Sequence, residues 1–470
     1  MENFFAPEWV IDTIFYQIFP DRFCNGDKSN DPIDTEQWGN PPTRENFFGG
    51  DLQGIRNKLD YLQDLGITGI YLNPIFKART NHKYDTEDYF SVDPTFGNNE
   101  LFKKLVLEIH ERKMRIILDG VFNHCGEQFK QFKNVKKYEQ KSPYTDWFHI
   151  RSYPITQNPI NYYSCGGCTY LPKFNNNNQA VKNYIYRVAT YWLKQANIDG
   201  WRLDCAQKIP KAFWQVFREK VKKINRQSYL VGEFWHEPGT WLQGDTFDGV
   251  TNYLLRELII NYFSNDILDA EDFSYEISSL LQRLGNASYS MLNLLGCHDT
   301  KRIFTVFEGE INRLLMAIVF LFTFIGIPLI YYGDEIGMAG GEDPDCRRTM
   351  IWDESLWNMN INAMYRKMIK IRNSHVALRR GEFKNLLFFN RVFAFKRSYE
   401  NDEVITILNP GSAVIDLNIP TYSKNMKWFD LFSGDEINST NEMLKIKKID
   451  PFSFLVVTNS KKENPGLSRG

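Results

Sequence analysis

The sequence predicts an α/β fold: a (β/α)8 TIM barrel with an inserted lid domain after strand 3 and a C-terminal antiparallel β-sandwich. Three observations predict it. Eight short apolar, β-rich runs alternate with helical patterns through the first three quarters of the 470 residues, as a parallel barrel requires. Run after run ends in polar residues at its carboxyl end. The last quarter then changes to short alternating runs typical of antiparallel strands.

The eight runs are "IFYQIFP", "GIYLNPI", "RIILDGVFNH", "DGWRLD", "YLVGEFW", "DGVTNY", "MLNLLGCHD" and "PLIYYGDE". Between them lie helical patterns such as "IRNKLDYLQDLG", "ELFKKLVLEIHERK", "AFWQVFREKVKKIN" and "INRLLMAIVFLF". An open doubly wound sheet is the alternative. The barrel is favoured by Asn73, Asp119 with Asn123 and His124, Asp204, Glu233, and His298 with Asp299, because barrel enzymes gather chemistry at the carboxyl ends of their strands. The barrel is expected over 1–124 and 180–377. The connection 125–179, rich in aromatic residues and Asn, is too long for a turn and reads as an inserted domain B. Runs such as "EVITILNP" and "FSFLVVTN" place the sandwich at 378–460, with a tail at 461–470.

With 43% hydrophobic and 15% aromatic residues the chain can bury a large core. Lys plus Arg is 56 against 57 for Asp plus Glu, and no basic run tracks a phosphate backbone, so nucleic acid is excluded as the expected partner. "LLMAIVFLFTFIGIPLIYY", 314–332, has the length of a membrane span. Its Gly326-Ile327-Pro328 breaker divides it into a buried helix, a turn and a buried strand, so no membrane partner is expected. The first twenty residues lack the basic and apolar regions of a secretory signal. Seven cysteines at irregular positions fit reduced thiols. A cytoplasmic setting is expected.

The chemistry is read first in "GWRLDCAQK". On a strand, residues i and i+2 share a face, so Arg202 projects beside Asp204, where a guanidinium would hold the carboxylate ionised. A lone Arg-x-Asp is equally a buried ion pair. "VGEFWHE" on the next strand adds Glu233 between an apolar residue and Trp235, and "GCHDT" adds His298 and Asp299. Three acids at three strand ends around one barrel mouth are hard to explain as packing. An apolar setting raises a carboxyl pKa, so Glu233 suits a general acid and Asp204 a nucleophile, the division of labour that glycosidic cleavage needs.

Four motifs in order, "DGVFNH", "GWRLDCAQK", "GEFWHE" and "LLGCHDT", resemble those of the α-amylase family of glycoside hydrolases. The resemblance implies that Asp204 is the nucleophile, Glu233 the acid/base, and that Asp299 binds the sugar 2- and 3-hydroxyls. It places Arg202, His124 and His298 against the sugar on the non-reducing side of the cut, with Asp119, Asn123 and Trp235 also in substrate binding. "NHKYDTEDYF" adds His82 and the stacking face of Tyr84, and "GGEDPDCRR" adds Asp343 and Arg347 one subsite further out. "LPKFN", Leu171 to Asn175, resembles an element of the neopullulanase and cyclomaltodextrinase branch. A retaining α-glucan hydrolase acting on α-1,4 bonds of cyclodextrins, maltodextrins, starch or pullulan is thus expected. A 4-α-glucanotransferase is the alternative enzyme, and a non-catalytic glucan-binding relative the alternative from another class.

"RFCNGDKSNDP" packs Asn25, Asp27, Asn30 and Asp31 into seven residues, and "FFGGDLQG" adds Gly49 and Asp51. Such oxygen ligands suit calcium, or else form an Asn- and Asp-rich turn; the branch resemblance implies a structural Ca2+. Cys165-Gly-Gly-Cys168 has metal- or redox-like spacing, but no second CxxC or nearby His completes a site, and the other five cysteines read as small apolar fillers. Two departures from the branch stand out. "WVIDTIFYQIFPDRF" begins almost at residue 1, where relatives carry a dimer-forming domain, so a monomer or weak homo-oligomer is expected. Cys205-Ala206-Gln207-Lys208 replaces the usual Val-Ala-Asn-Glu, toward the reducing-side subsites.

Overall fold

The computed structural model describes residues 6–422 and 426–460; the tail expected at 461–470 lies outside the described residues. All eight apolar runs form strands: β1 Phe15–Ile18, β2 Gly69–Leu72, β3 Arg115–Gly120, β4 Gly200–Leu203, β5 Tyr229–Gly232, β6 Gly249–Val250, β7 Leu292–Leu294 and β8 Ile327–Tyr331. The order is β6-β5-β4-β3-β2-β1-β8-β7, with parallel pairing throughout. A parallel bridge between Thr251 and Leu292 joins the two edge strands, so the sheet closes and leaves no edge exposed.

Alternation along these strands sorts the core into two shells. Phe15, Ile117, Tyr229, Leu292, Ile327 and Leu329 point inward and form one buried cluster. Tyr16, Ile18, Ile70, Leu72, Ile116 and Leu118 point outward, under the helices. Trp9 packs against Phe15 and Tyr229, with ring centroids 6.3 and 6.2 Å away, at the amino-terminal ends of the strands. With that end filled, the inward polar residues Gln17, Asp119 and Arg202 lie toward the other mouth.

The helices that flank the barrel strands include α1 Leu52–Asn57, α2 Leu59–Leu65, α3 Asn99–Glu111, α4 Gln179–Gln195, α5 Lys211–Ile224, α6 Tyr253–Phe263, α7 Ala270–Leu284, α8 Ile311–Thr323 and α9 Met359–Ser374, and the inserted segment carries a further helix, Lys130–Tyr138. The Asn-rich end of the long connection has specific tasks. Asn178 caps α4 by accepting from the N–H groups of Ala180 and Val181, and Asn176 donates to the carbonyl of Phe122. α8 is the buried helix expected from the sequence, as apolar as a membrane span because it is covered on both sides: Phe320 packs on Phe263 and Phe273 of α6 and α7 and on Phe395 of the C-terminal sheet. No helix among the described residues is long and apolar enough to cross a membrane.

After α9 come β9 Glu382–Phe389, β10 Val392–Tyr399, β11 Asp402–Asn409, β12 Ile415–Pro420, β13 Lys427–Asp430, β14 Glu436–Thr440, β15 Met443–Ile449 and β16 Ser453–Thr458. They pair antiparallel in the order β9-β10-β11-β16-β13-β14-β15-β12. Period-2 alternation gives β10 two different faces. Val392 and Ala394 join a core internal to this sheet assembly, with Trp428 and Leu444. Phe393 and Phe395 join the main core.

Candidate active site

The polar ends of the strands converge as expected. Arg202, on the inner face of β4, is 1% exposed and meets three carboxylates. Its Nη1 lies 2.9 Å from Asp119 Oδ1 and 3.0 Å from Asp204 Oδ1, and its Nη2 lies 2.9 Å from Glu233 Oε1. Asp119 pairs directly with Arg202 in the β3–β4 register. Gly200 permits the neighbouring turn of chain, since a Cβ there would sit 2.0 Å from the carbonyl oxygen of Tyr229. One cation facing three acids leaves the cluster short of positive charge.

Burial, followed by the charge of Glu233, pushes the Asp204 carboxyl up to about 8, although Arg202 and His124 pull the other way. The expectation that Arg202 alone would hold Asp204 ionised therefore covers only one of the opposing effects. The surroundings of Glu233 also differ from the apolar pocket expected from its flanks. Its Oε2 accepts from the Cys205 N–H at 2.7 Å and its Oε1 from Trp235 Nε1 at 3.1 Å. Trp235 itself is 43% exposed and stacks on Tyr253, rings 3.9 Å apart and 6° from parallel. Carboxylate oxygens of Asp204 and Glu233 and the Cys205 Sγ all lie within 4.8 Å of one another.

The opposite wall carries His298, Asp299, Tyr84 and His82. The Tyr84 hydroxyl donates to Asp119 Oδ2 at 2.8 Å and accepts from Asn73 Nδ2 at 3.0 Å; His298 Nε2 lies 2.6 Å from it. Gln17 Nε2 donates to His298 Nδ1 at 2.8 Å, which leaves the ring proton on Nε2, toward Tyr84 and Asp299. Burial holds His298 well below its usual range, so the ring is neutral. His298 Nε2 is 3.1 Å from Asp299 Oδ2, and Arg347 Nη2 is 3.1 Å from Asp299 Oδ1. Burial pushes His82 down to about 3; its Nδ1 accepts from the Tyr84 N–H at 3.0 Å. Asp343 is tied to Arg347 at 3.0 Å and faces Arg44 at 3.6 Å. His82, Tyr84, Arg44, Asp343 and Arg347 line a cavity of about 750 Å3 with Arg79 and Tyr170.

Asn123 Nδ2 lies 3.3 Å from His124 Nδ1, and both residues are buried. Every site residue singled out from the sequence around the barrel mouth thus falls in one continuous region. Two contributors escaped the sequence reading. Gln17 was legible only as a lone polar residue in an apolar strand, and Tyr71 donates to Asp119 at 2.7 Å from a position indistinguishable from core.

The oxygen-rich loops also come together. Asn25 Nδ2 donates to Asp31 Oδ1 at 2.8 Å, and Asp51 accepts from the N–H groups of Gly26 and Asp27 and from Asn30 Nδ2. A Cβ on Gly49, whose φ is +77°, would lie 2.4 Å from Asp31 Oδ1 and 2.5 Å from Asn25 Nδ2. The side-chain oxygens of Asn25 and Asn30 are buried without a hydrogen-bond partner. Two orphaned acceptors beside carboxylates are a donor set that fits a hard cation.

Comparison with known proteins agrees with this geometry. The family described as "Alpha amylase, catalytic domain" matches residues 17–380. A cyclomaltodextrinase of Thermoanaerobacter pseudethanolicus is 48% identical over 420 residues, which are 88% of this chain and 73% of that protein. Neopullulanase 2 of Thermoactinomyces vulgaris is 40% identical, over 98% of this chain and 80% of its own. Among solved structures, the ligand-free cyclic α-maltosyl-(1→6)-maltose hydrolase of Arthrobacter globiformis superimposes with a TM-score of 0.89 at 39% identity, covering 96% of this chain and 99% of that one. Motifs, barrel and relatives converge: the chain belongs to the α-amylase family of glycoside hydrolases.

Proposed function

We propose that the protein is a retaining α-glucan hydrolase that cleaves α-1,4-glucosidic bonds in cyclodextrins and maltodextrins. The observation that carries this reading is the close approach of Asp204 and Glu233, whose oxygens lie within 4.8 Å. Retaining enzymes hold their two carboxyl groups about 5–5.5 Å apart, whereas inverting ones leave room for a water between them at about 6.5–9.5 Å. The names of the relatives, cyclomaltodextrinase and neopullulanase, support the substrate class.

In this reading Asp204 attacks the anomeric carbon while Glu233 protonates the leaving oxygen. The step requires Asp204 as the carboxylate and Glu233 as the acid. Arg202 then faces the Asp204 carboxylate. Water, deprotonated by Glu233, resolves the β-glucosyl ester, and two inversions restore the α configuration. Asp299, held by Arg347 and His298, accepts from sugar hydroxyls, and Tyr84 offers its ring face. Product anomers from β-cyclodextrin or maltotriose, followed by NMR before mutarotation, test this. The α anomer is expected first; early β anomer overturns retention. Longer oligosaccharides dominating at early times from maltotriose would instead indicate the glucanotransferase.

A calcium ion at Asn25, Asp27, Asn30, Asp31, Gly49 and Asp51 is part of the same proposal, supported by the two orphaned amide oxygens. It would tie the 25–31 loop to the 49–51 loop and take no part in bond cleavage. Chelation with EGTA is expected to lower Tm by several degrees, with recovery on adding Ca2+ and not Mg2+; an unchanged Tm would remove the ion from the proposal. A cytoplasmic setting accords with a relative named intracellular maltogenic amylase in Bacillus subtilis, 39% identical over 97% of this chain.

A further inference from the structure

A second cavity opens at the carboxyl end of the barrel, outside the reacting cleft. It has about 480 Å3 and is formed by the segment that follows β1 and, through Trp352, by the segment that follows β8. Trp38, Trp352 and Phe48 supply aromatic walls, and Lys28, Glu36 and Gln37 line it with polar groups. Its lining shares no residue with that of the cavity at His82 and Tyr84. Small-molecule sites usually have about 300–1,000 Å3, aromatic walls and a few placed polar groups.

The walls are fixed before any ligand arrives. Trp38 donates its Nε1 hydrogen to the Met350 carbonyl at 2.9 Å, and Gly39 donates its N–H to Thr349 Oγ1 at 3.0 Å. On its other flank the loop bridges Thr35 to Phe47, and the Glu36 N–H donates to the Phe47 carbonyl at 2.7 Å. Trp352 donates from Nε1 to the Phe23 carbonyl at 2.7 Å. Phe23 and Tyr61 pack on its ring nearly at right angles, and Lys58 Nζ lies 3.9 Å from the ring centre. Each indole N–H is thus taken by the backbone, which leaves ring carbon for the cavity. Trp352 is a held wall; Trp38, half-buried, is the platform.

The polar groups, by contrast, are available. Glu36 uses Oε1 to accept from the Gln37 N–H and from Asn40 Nδ2, while its Oε2, the Gln37 side-chain amide and Lys28 Nζ make no hydrogen bond to a described residue. An aromatic face beside a carboxylate, an amide and an ammonium matches a pyranose, whose C–H face stacks and whose hydroxyls both donate and accept. Charge argues against an anionic ligand, because Lys28 is offset by Glu36 and Asp31 in the same lining. Asn25 and Asp31 also belong to the donor set assigned to the cation, so one loop serves both.

Resting on the α-glucan reading of the catalytic cleft, we propose that this cavity is a second site for the same ligand class, with Trp38 as the stacking platform and Glu36, Gln37 and Lys28 as its hydrogen-bonding groups. Its position suits long chains. The 347–352 segment carries Arg347, which holds Asp299 at 3.1 Å in the cleft, and also Met350 and Trp352 at the second cavity. The five residues from Arg347 to Trp352 span at most about 18 Å of extended chain, so a glucan of several units reaches from one site to the other. Held at Trp38, it presents its remaining units to the cleft at a raised effective concentration. Maltotriose, once held at one site, has no units left for the other.

Calorimetric titration of the full-length Asp204→Asn protein with maltotriose tests the site without turnover. Two binding events per chain are expected, and Trp38→Ala in that background should remove one and leave the other. Gln37→Ala, at an exposed side chain, should weaken the same event by about threefold to tenfold. With Asp204 intact, Trp38→Ala should lower kcat/KM for starch by about tenfold and leave that for maltotriose unchanged. A single event that survives Trp38→Ala, or two events that both survive it, would overturn the second site. A single event that Trp38→Ala abolishes would uphold it and tell instead against glucan binding in the cleft, so failure of the cleft reading has its own signature; no event at all overturns both. Loss of both events in Trp38→Ala alone reports unfolding, and Gln37→Ala then decides by weakening one event or neither.

Discussion

Two sets of buried arginines use the same side chain for opposite ends. Arg202 sits among Asp119, Asp204 and Glu233, and their charges lift its pKa well above normal against the effect of burial. Arg372 and Arg397, equally buried, have no carboxylate within ion-pair distance among the described residues. Arg372 donates to the carbonyls of Phe322, Phe324 and Gly326, and Arg397 to those of Thr323 and Gly381. Burial pushes both below the usual arginine range. They satisfy the orphan carbonyls at the carboxyl end of α8 where the chain turns into β8. The charge excess around Arg202 is held for chemistry, and the carbonyl-bound pair is held for shape.

The largest separation between the two regions is expected from removing a charge at the first. Asp204→Asn should lower kcat/KM by at least about 10^4-fold, because an amide cannot form the glycosyl ester. Near-full activity in steady-state assays would dismiss Asp204 as nucleophile. The same variant should be more stable than the parent, with a pH signature. The folded-state pKa of Asp204 is raised, so the parent loses stability as pH climbs from the unfolded value of 3.8 to about 8. The Tm advantage of Asp204→Asn should therefore be near zero at pH 4 and grow to roughly 1–3 °C at pH 8; a constant difference would contradict the charge shortage.

Neutralising the arginines comes next. Arg202→Leu leaves three acids without their cation and should cost about 3–5 kcal/mol near neutral pH, relieved as pH falls and the acids protonate. Arg372→Leu orphans carbonyls, which do not titrate, and should cost about 2–3 kcal/mol with activity per folded molecule unchanged. Denaturant unfolding at pH 5 and pH 8 separates them; parallel pH dependence would break the contrast. The smallest effect is expected at Gln17, a positioning residue. A carboxylate from Gln17→Glu would accept a hydrogen bond from His298 Nδ1, drawing the ring proton to Nδ1 and stripping it from Nε2. A fall in kcat of about 10-fold to 100-fold with Tm held within about 1 °C is the expected outcome, and an unchanged pH–rate profile would show that the tautomer is immaterial.

The barrel was legible because each strand advertised itself twice, by an apolar run and by a polar end. Closure rests on long-range pairing such as Thr251 with Leu292, which no local pattern shows. α8 has the composition of a lipid-facing helix because a helix buried on both sides has no polar stripe, and the Gly326-Ile327-Pro328 breaker is what marked it as buried. The acids were legible by motif, but their electrostatics were not. The flanks of Glu233 suggested an apolar pocket, whereas its actual neighbours are the donors Arg202, Trp235 and the Cys205 N–H.

The two-faced strand β10 has a consequence for how the molecule can be divided. Phe393 and Phe395 belong to the same core as α8, and Val392 and Ala394 to that of the sandwich. Cutting the chain ahead of β9 would not release a free-standing barrel. It would strip the outer cover from Phe320 and leave greasy surface on both products. The C-terminal sheet is thus a joint partition wall between two rooms, and truncation, domain grafting or circular permutation must carry it with the barrel.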